Sequence, residues 1–187
     1  MKLTEGLIQY NLMRWLRSNN QDVFVPNYFI GSFECDLLRL TSSDLLVEYE
    51  IKTSRSDFKN DFKKARRSWR DGVVIETKHD FISIGKRVNR FYYVVPEGLI
   101  TPDEVPAGFG LIYAENPREM DPKYGYKFNV LIKFRIVKMS KLFTREKLAE
   151  KKYRHIAQNL CMKLENQKRI TYGAKNDIRF LRNQLQK

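Results

Sequence analysis

The stretch Glu48-Tyr49-Glu50-Ile51-Lys52 alternates charged and apolar side chains over five positions, a period of two that belongs to a β-strand. On such a strand Glu48, Glu50 and Lys52 share one face, and Val47, Tyr49 and Ile51 share the other. Two carboxylates and an ammonium beside a core are costly unless they meet a metal ion or partner charges. Whatever fold the chain adopts has to supply one of these.

The flanking sequence narrows the arrangement. Phe33 to Leu40 and Leu45 to Thr53 are β-rich runs around Thr41-Ser42-Ser43-Asp44, the pattern of a hairpin. Register then becomes a question of parity, because a one-residue slip turns every side chain to the other face. A four-residue loop over 41–44 would separate Asp36 from Glu50. A three- or five-residue loop pairs Asp36 with Glu50, Leu38 with Glu48 and Glu34 with Lys52, and a bulge would have the same effect.

The remaining elements follow from periodicity. Leu3 to Arg17 reads as a helix with Thr4 as N-cap. Glu5 falls beside its apolar stripe of Ile8, Leu12 and Leu16, although a first-turn glutamate is also favoured by the helix dipole alone. Val23 to Ile30 is a strand in which Pro26 marks an edge or a kink. Ser54 to Asp57 resembles a capping box opening a basic helix to about Arg70, with Phe58, Phe62, Ala65 and Trp69 as a narrow apolar stripe. Residues 73–88 show no clear pattern. Phe91 to Val95 reads as a central strand and Gly110 to Ala114 as a short one. Thr101 to Pro106 and Asn116 to Gly125 read as loops, and Lys127 to Met139 as a long edge strand. From Thr144 the spacing is helical, with Gly173 a candidate break before a last helix carrying Ile178, Leu181 and Leu185.

Charge bears on the partner. The net charge is +13 at pH 7, and its excess is concentrated. Residues 53–70 carry seven Lys/Arg against two Asp/Glu, and residues 139–187 carry thirteen against four. Solvated helix faces would explain either run alone; together they point to a polyanion, nucleic acid foremost, with anionic membrane surfaces and acidic proteins sharing the same logic. No apolar run approaches the ~20 residues of a membrane span, and the N-terminus lacks the apolar stretch of a signal peptide. A cytoplasmic protein without a membrane partner is the expectation. Cys35 and Cys161 lie far apart and suggest neither a disulfide framework nor a zinc site. The expected organisation is a core over residues 1–140 and a basic helical extension over 141–187, whose helices could also pair two copies in a homodimer.

Glu5, Asp36, Glu50 and Lys52 form the candidate constellation. Carboxylate oxygens suit Mg²⁺, which keeps several waters and commonly binds one or two carboxylates together with a phosphate. A lysine at the same place can stabilise developing charge or orient an attacking water. Glu34 and Glu48 are accessory acids with a readier structural explanation, Ser54 and Asp57 are helix caps, and His79 and His155 stand isolated in the sequence.

Asp36, thirteen residues, then Glu50-x-Lys52, between a glutamate-bearing helix and a second helix, resembles the PD-(D/E)XK nuclease signature. Glu50 to Phe58, Asn89 to Ile100, and Val105-Pro106 through Gly110 to Tyr113 are similar to the MmcB-like DNA-repair branch of that superfamily, so that the resemblance spans about residues 3 to 115. It implies an α/β fold, a mixed β-sheet flanked by helices in a restriction-endonuclease-like core, here with a helical C-terminal extension. It further implies a divalent-metal-dependent DNA nuclease using Mg²⁺, or Mn²⁺ in its place. Carried over position by position, Asp36 and Glu50 are the metal ligands with Ile51 the adjoining metal position, Lys52 is the catalytic lysine, and Glu5 the first-helix acid. Cys35 stands where the signature has proline, and no Q-x-x-x-Y element follows the second helix. Arg55, Lys59, Lys63, Arg66 and Arg67, close after the catalytic strand, are the candidate contacts to DNA phosphates. A non-cleaving nucleic-acid-binding module on the same fold is the alternative.

Overall fold

The computed structural model describes residues 3–17, 21–67, 74–115 and 132–185, with the side chains of 66–67, 74–75 and 176–185 outside the description. They form two compact units, Met1–Lys147 and Leu148–Lys187.

The first unit is built on a six-stranded mixed sheet. Its strands are β1 (Val23–Ile30), β2 (Phe33–Leu40), β3 (Leu46–Ile51), β6 (Arg90–Pro96), β7 (Gly110–Glu115) and β8 (Lys133–Lys138), in that spatial order. β3, β6 and β7 run parallel, and the outer strands are antiparallel to their neighbours. The expected α/β fold is the observed one. Pro26 lies on the edge strand β1, opposite Leu37, the kind of strand to which proline is confined within a sheet.

The hairpin parity holds. β2 pairs with β3 from Leu40↔Leu46 to Leu37↔Tyr49, with Leu38 opposite Glu48 and residues 41–45 as a five-residue connection. Within it Thr41 N donates to Leu45 O, and Asp44 adopts a φ of 66°, so a tight turn ends on a left-handed residue. Beyond Leu37 the two strands part: Lys52 N donates across to Val94 O at 3.0 Å. The expected direct pairs Asp36–Glu50 and Glu34–Lys52 are therefore not in the ladder: the Ile51 N–H donates to the Asp36 side chain, not to the β2 backbone.

Helix α1 (Glu5–Leu16) starts as expected, with Thr4 Oγ1 accepting from Leu7 N. Its Ile8, Leu12 and Leu16 join Leu37, Val47, Tyr49, Ile51, Tyr92, Val94 and Ile112 in one apolar cluster. The apolar face of the alternating stretch thus meets α1. Gly110 lets Tyr92 lie over it: a Cβ there would stand 2.2 Å from the Tyr92 ring and 2.9 Å from the Ser140 backbone nitrogen. Gly110→Ala is expected to destabilise the first unit by about 1–3 kcal/mol, checked by urea unfolding; an unchanged midpoint would show that Tyr92 moves freely.

Between the main strands the chain departs from expectation. Helix α2 (Arg55–Asp61) is seven residues long, not the longer helix expected to reach Arg70; Trp69 and Arg70 lie outside the described residues. Lys63 N and Lys64 N bond to Asn60 O and Asp61 O, three residues back, and the chain turns into β4 (Ala65–Arg67). β4 pairs with β5 (Val74–Thr77) in a separate two-stranded sheet. Helix propensity loses here to Lys64, whose ammonium is drawn inward by two buried carboxylates. The unreadable stretch holds β5 and the one-turn helix α3 (Lys78–Ser83), capped by Thr77 Oγ1 accepting from Asp80 N.

The second unit holds α4 (Glu150–Leu185), 36 residues without interruption. It begins later than the pattern from Thr144 suggested. The carbonyls of Thr144 and Glu146 accept from Asn89 Nδ2 at 2.9 and 2.8 Å, which holds that stretch out of a helix. Gly173 does not break α4: an exposed helical glycine costs only about 1 kcal/mol relative to alanine. The expected loop Asn116–Gly125 lies outside the described residues, and the expected edge strand is described only as β8.

Candidate active site

Every residue of β3 is buried: its apolar face lies in the cluster with α1, and Lys64 and Lys78 reach its charged face. The charged face therefore has to be neutralised internally. Glu50, 1% exposed, receives three ammonium groups. Its Oε1 accepts from Lys52 Nζ at 2.8 Å and Lys64 Nζ at 2.7 Å, and its Oε2 accepts from Lys78 Nζ at 2.7 Å.

Two residues back, Glu48 is held by Arg87, whose Nε and Nη2 donate at 2.6 and 3.0 Å, and by Lys78 Nζ at 3.1 Å. Arg87 also donates to the carbonyls of Ile30 and Phe33. It thereby ties the β1–β2 turn to β3. Burial opposes ionisation of Glu48, but Lys78 and Arg87 outweigh it and hold the carboxyl below the usual range. Glu48 is a structural ion-pair partner with no oxygen turned to solvent.

Asp61, the last residue of α2, forms a second hub. Its Oδ1 lies 2.8 Å from Lys64 Nζ, 3.5 Å from Lys52 Nζ and 3.8 Å from Lys78 Nζ. Its Oδ2 accepts from Tyr93 Oη at 2.7 Å and lies 3.1 Å from His79 Nε2, which is itself 2.6 Å from Tyr93 Oη. Burial disfavours the Asp61 charge, yet the His79 hydrogen bond and the three lysines keep its carboxyl well below the ordinary range. Burial pushes the Tyr93 hydroxyl up, and Asp61 adds to it. Tyr93 therefore remains a donor.

Asp36 stands at the rim. One of its oxygens, Oδ2, accepts from Ile51 N at 2.6 Å, and the other has no hydrogen bond among the described residues. Gln9 of α1 fixes the strand here, donating to the Asp36 carbonyl at 2.6 Å. Burial and then the Glu50 charge push the Asp36 carboxyl up to about 7, opposed by the Ile51 N–H and Lys52, with Glu5 adding its own repulsion. Glu5, exposed in the first turn of α1, acts on Asp36 through space and forms no hydrogen bond or ion pair among the described residues.

The expected residues thus separate. Asp36, Glu50 and Lys52 come together, with Ile51 supplying its backbone N–H to Asp36 and its side chain to the apolar cluster. Arg55 does not face the cluster: it donates to the Leu99 carbonyl and pairs with Glu104. Lys59 is exposed, Lys63 donates to Asn60 Oδ1 at 3.2 Å, and the side chains of Arg66 and Arg67 lie outside the description. Sequence reasoning missed Asp61, Lys64, Lys78, Arg87 and Tyr93. It also took His79 as isolated. Only folding brings these residues to β3; the one sequence signal was the surplus of lysines after the strand.

Whether Mg²⁺ suits this centre depends on the donors. Among the described residues no three His, Cys, Asp or Glu side chains converge as a metal cage. A site of one or two carboxylates completed by water and phosphate is the usual habit of Mg²⁺; Asp36, at the rim, fits it, whereas Glu50, with both oxygens accepting from ammonium groups, offers one to a metal only where a lysine moves away. Asp36 has an uncommitted oxygen, and its ionisation is suppressed first by burial and then by the Glu50 charge, the second of which a divalent cation would offset.

No protein-family model matches this chain, and no curated protein matches it. Among solved structures, it is similar to a protein of unknown function from Silicibacter pomeroyi. That match has 17% sequence identity and a TM-score of 0.54, covering 89% of this chain and 90% of that one. The likeness extends to the fold. No helix among the described residues is long and apolar enough to cross a membrane.

Proposed function

We infer that the protein is a divalent-metal-dependent DNA nuclease, an endonuclease of repair, restriction or phage DNA processing that works in the cytoplasm. The observation that carries this reading is the pairing of Lys52 Nζ with Glu50 Oε1 at 2.8 Å beside Asp36, whose oxygen accepts the Ile51 N–H at 2.6 Å. A carboxylate pair and a lysine on neighbouring strands are the components a phosphodiester hydrolase needs.

Asp36 and Glu50 would hold Mg²⁺, next to Ile51. Bound there, the metal supplies polarisation of the scissile phosphate and a more acidic water. The protein's own groups do the rest. Lys52, fixed between Glu50 and Asp61, keeps a positive charge at the carboxylates and limits their motion. Asp61, braced by Tyr93 and His79, positions Lys52 and Lys64. Glu5 adds negative potential beside Asp36. The net charge of +13 favours a polyanionic substrate and makes its binding salt-dependent.

A second reading, a nucleic-acid-binding module on this fold that does not cut, is favoured by one feature: both Glu50 oxygens are already engaged by ammonium groups. A cleavage panel separates the two. Duplex, nicked, branched and single-stranded DNA are incubated with Mg²⁺ or Mn²⁺, beside Asp36→Ala and Lys52→Ala. The nuclease reading expects metal-dependent cleavage that falls at least about a hundredfold in either variant. Binding without cleavage on every substrate would leave the second reading.

A further inference from the structure

We propose that Lys64, rather than Lys52, is the lysine of this centre that touches a DNA phosphate, with Lys52 serving to position Glu50. The inference rests on the nuclease reading for its setting, but its test does not need cleavage.

Three lysines converge on Glu50, and they differ in what they can reach. The Lys52 side chain is 5% exposed and that of Lys78 is 0% exposed, whereas that of Lys64 is 41% exposed. Lys78 Nζ faces Glu48, Glu50 and Asp61, so its charge is spent inward. Lys52 Nζ has Glu50 at 2.8 Å, Asp61 at 3.5 Å and Asp57 at 3.7 Å around it. An ammonium has three donors; Lys64 Nζ donates to Glu50 Oε1 at 2.7 Å and pairs with Asp61 Oδ1 at 2.8 Å, which leaves donor capacity on a side chain that still meets solvent.

The carboxylates of Glu48, Glu50 and Asp61, with Asp57 3.7 Å from Lys52, meet four cations, Lys52, Lys64, Lys78 and Arg87. Of the three lysines, Lys64 is the one whose side chain reaches solvent. A phosphodiester oxyanion is a ligand of matching charge and acceptor geometry. Burial lowers the proton affinity of Lys64, but Glu50 and Asp61 more than reverse this, so the ammonium stays charged over the whole working pH range. The turn that cuts α2 short is what brings Lys64 here.

The test is binding of a short DNA duplex, followed across NaCl concentrations in EDTA, for the full chain and for Lys64→Gln, Lys64→Arg and Lys52→Gln. The plot of log Kd against log salt is expected to lose about one unit of slope in Lys64→Gln. Lys64→Arg restores it, and Lys52→Gln keeps it. Thermal melts establish that each variant is folded; Lys64→Gln, which alters a half-exposed side chain, carries the result if Lys52→Gln is not. A wild-type slope in Lys64→Gln, or no DNA binding by the unaltered chain, overturns the proposal. The slope change without any cleavage in the metal panel would sink the nuclease reading and leave Lys64 in its role.

Discussion

Replacing Lys78 by methionine is expected to destabilise the first unit by about 3–5 kcal/mol, the cost of removing one partner from a buried ion cluster. The Lys78 side chain is wholly buried, and its ammonium lies 3.1 Å from Glu48 and 2.7 Å from Glu50. Without it, both carboxylates lose a neutralising charge in a region water does not enter, where Coulomb interactions are strong. Arg87 still holds Glu48, and Lys52 with Lys64 still holds Glu50, so the cost stays finite. Urea unfolding followed by circular dichroism measures it. A combined Glu50→Gln, Lys78→Met variant should lose less than the sum of the two single changes, since the double change removes both halves of one pair. Strict additivity, or a loss below about 1 kcal/mol, would show that Lys78 is not the charge holding β3 in place.

The second large effect concerns Asp36 and pH. Its carboxyl is raised from 3.8 to about 7, so between those values the folded protein binds more protons than the unfolded chain. Stability therefore falls as pH rises through this window, by at most about 4 kcal/mol if the whole difference is realised at 1.36 kcal/mol per pH unit. Glu48 and Asp61, whose carboxyls are held low, act in the opposite sense, losing their contribution as pH falls below the ordinary carboxylate value. The two effects occupy different windows. In EDTA, unfolding free energy is expected to decline from pH 5 to pH 8 in the unaltered chain and to stay nearly level in Asp36→Asn. Mg²⁺ should recover stability at pH 8 in the former and not in the latter, because a cation that needs the ionised carboxylate stabilises only the state that presents it. A profile identical in both proteins would mean that Asp36 is hydrated more fully than its place beside Glu50 indicates.

Several parts of the site were legible along the chain, each for a local reason. Alternation from Val47 to Lys52 defined a strand with one apolar and one charged face, and the apolar half lies against α1. Loop parity required Leu38 to oppose Glu48, and it does. Thr4 and Ser54 are helix caps because a hydroxyl in that position satisfies backbone donors wherever the helix is placed. All of these depend on neighbours within a few residues, or on a hairpin whose strands adjoin.

What escaped the sequence depends on distant partners. The stripe Phe58, Phe62, Ala65, Trp69 is helical by spacing, yet Lys64 leaves the helix for Glu50, fourteen residues earlier, and the chain continues as β4. Propensity amounts to a few tenths of a kcal/mol per residue, less than the cost of leaving Glu50 and Asp61 short of counter-charge. Asp61, His79 and Tyr93 belong to α2, α3 and β6, and nothing in their separation along the chain signals the contacts at 2.6 to 3.1 Å that join them. The sequence by itself determined that Glu48, Glu50 and Lys52 share a face and that this face needed compensating charge. Only the tertiary structure decided which charges those are, because a buried carboxylate takes whichever cations the packing of α2, α3 and β6 brings within a few ångströms, and that packing is settled by the sheet as a whole.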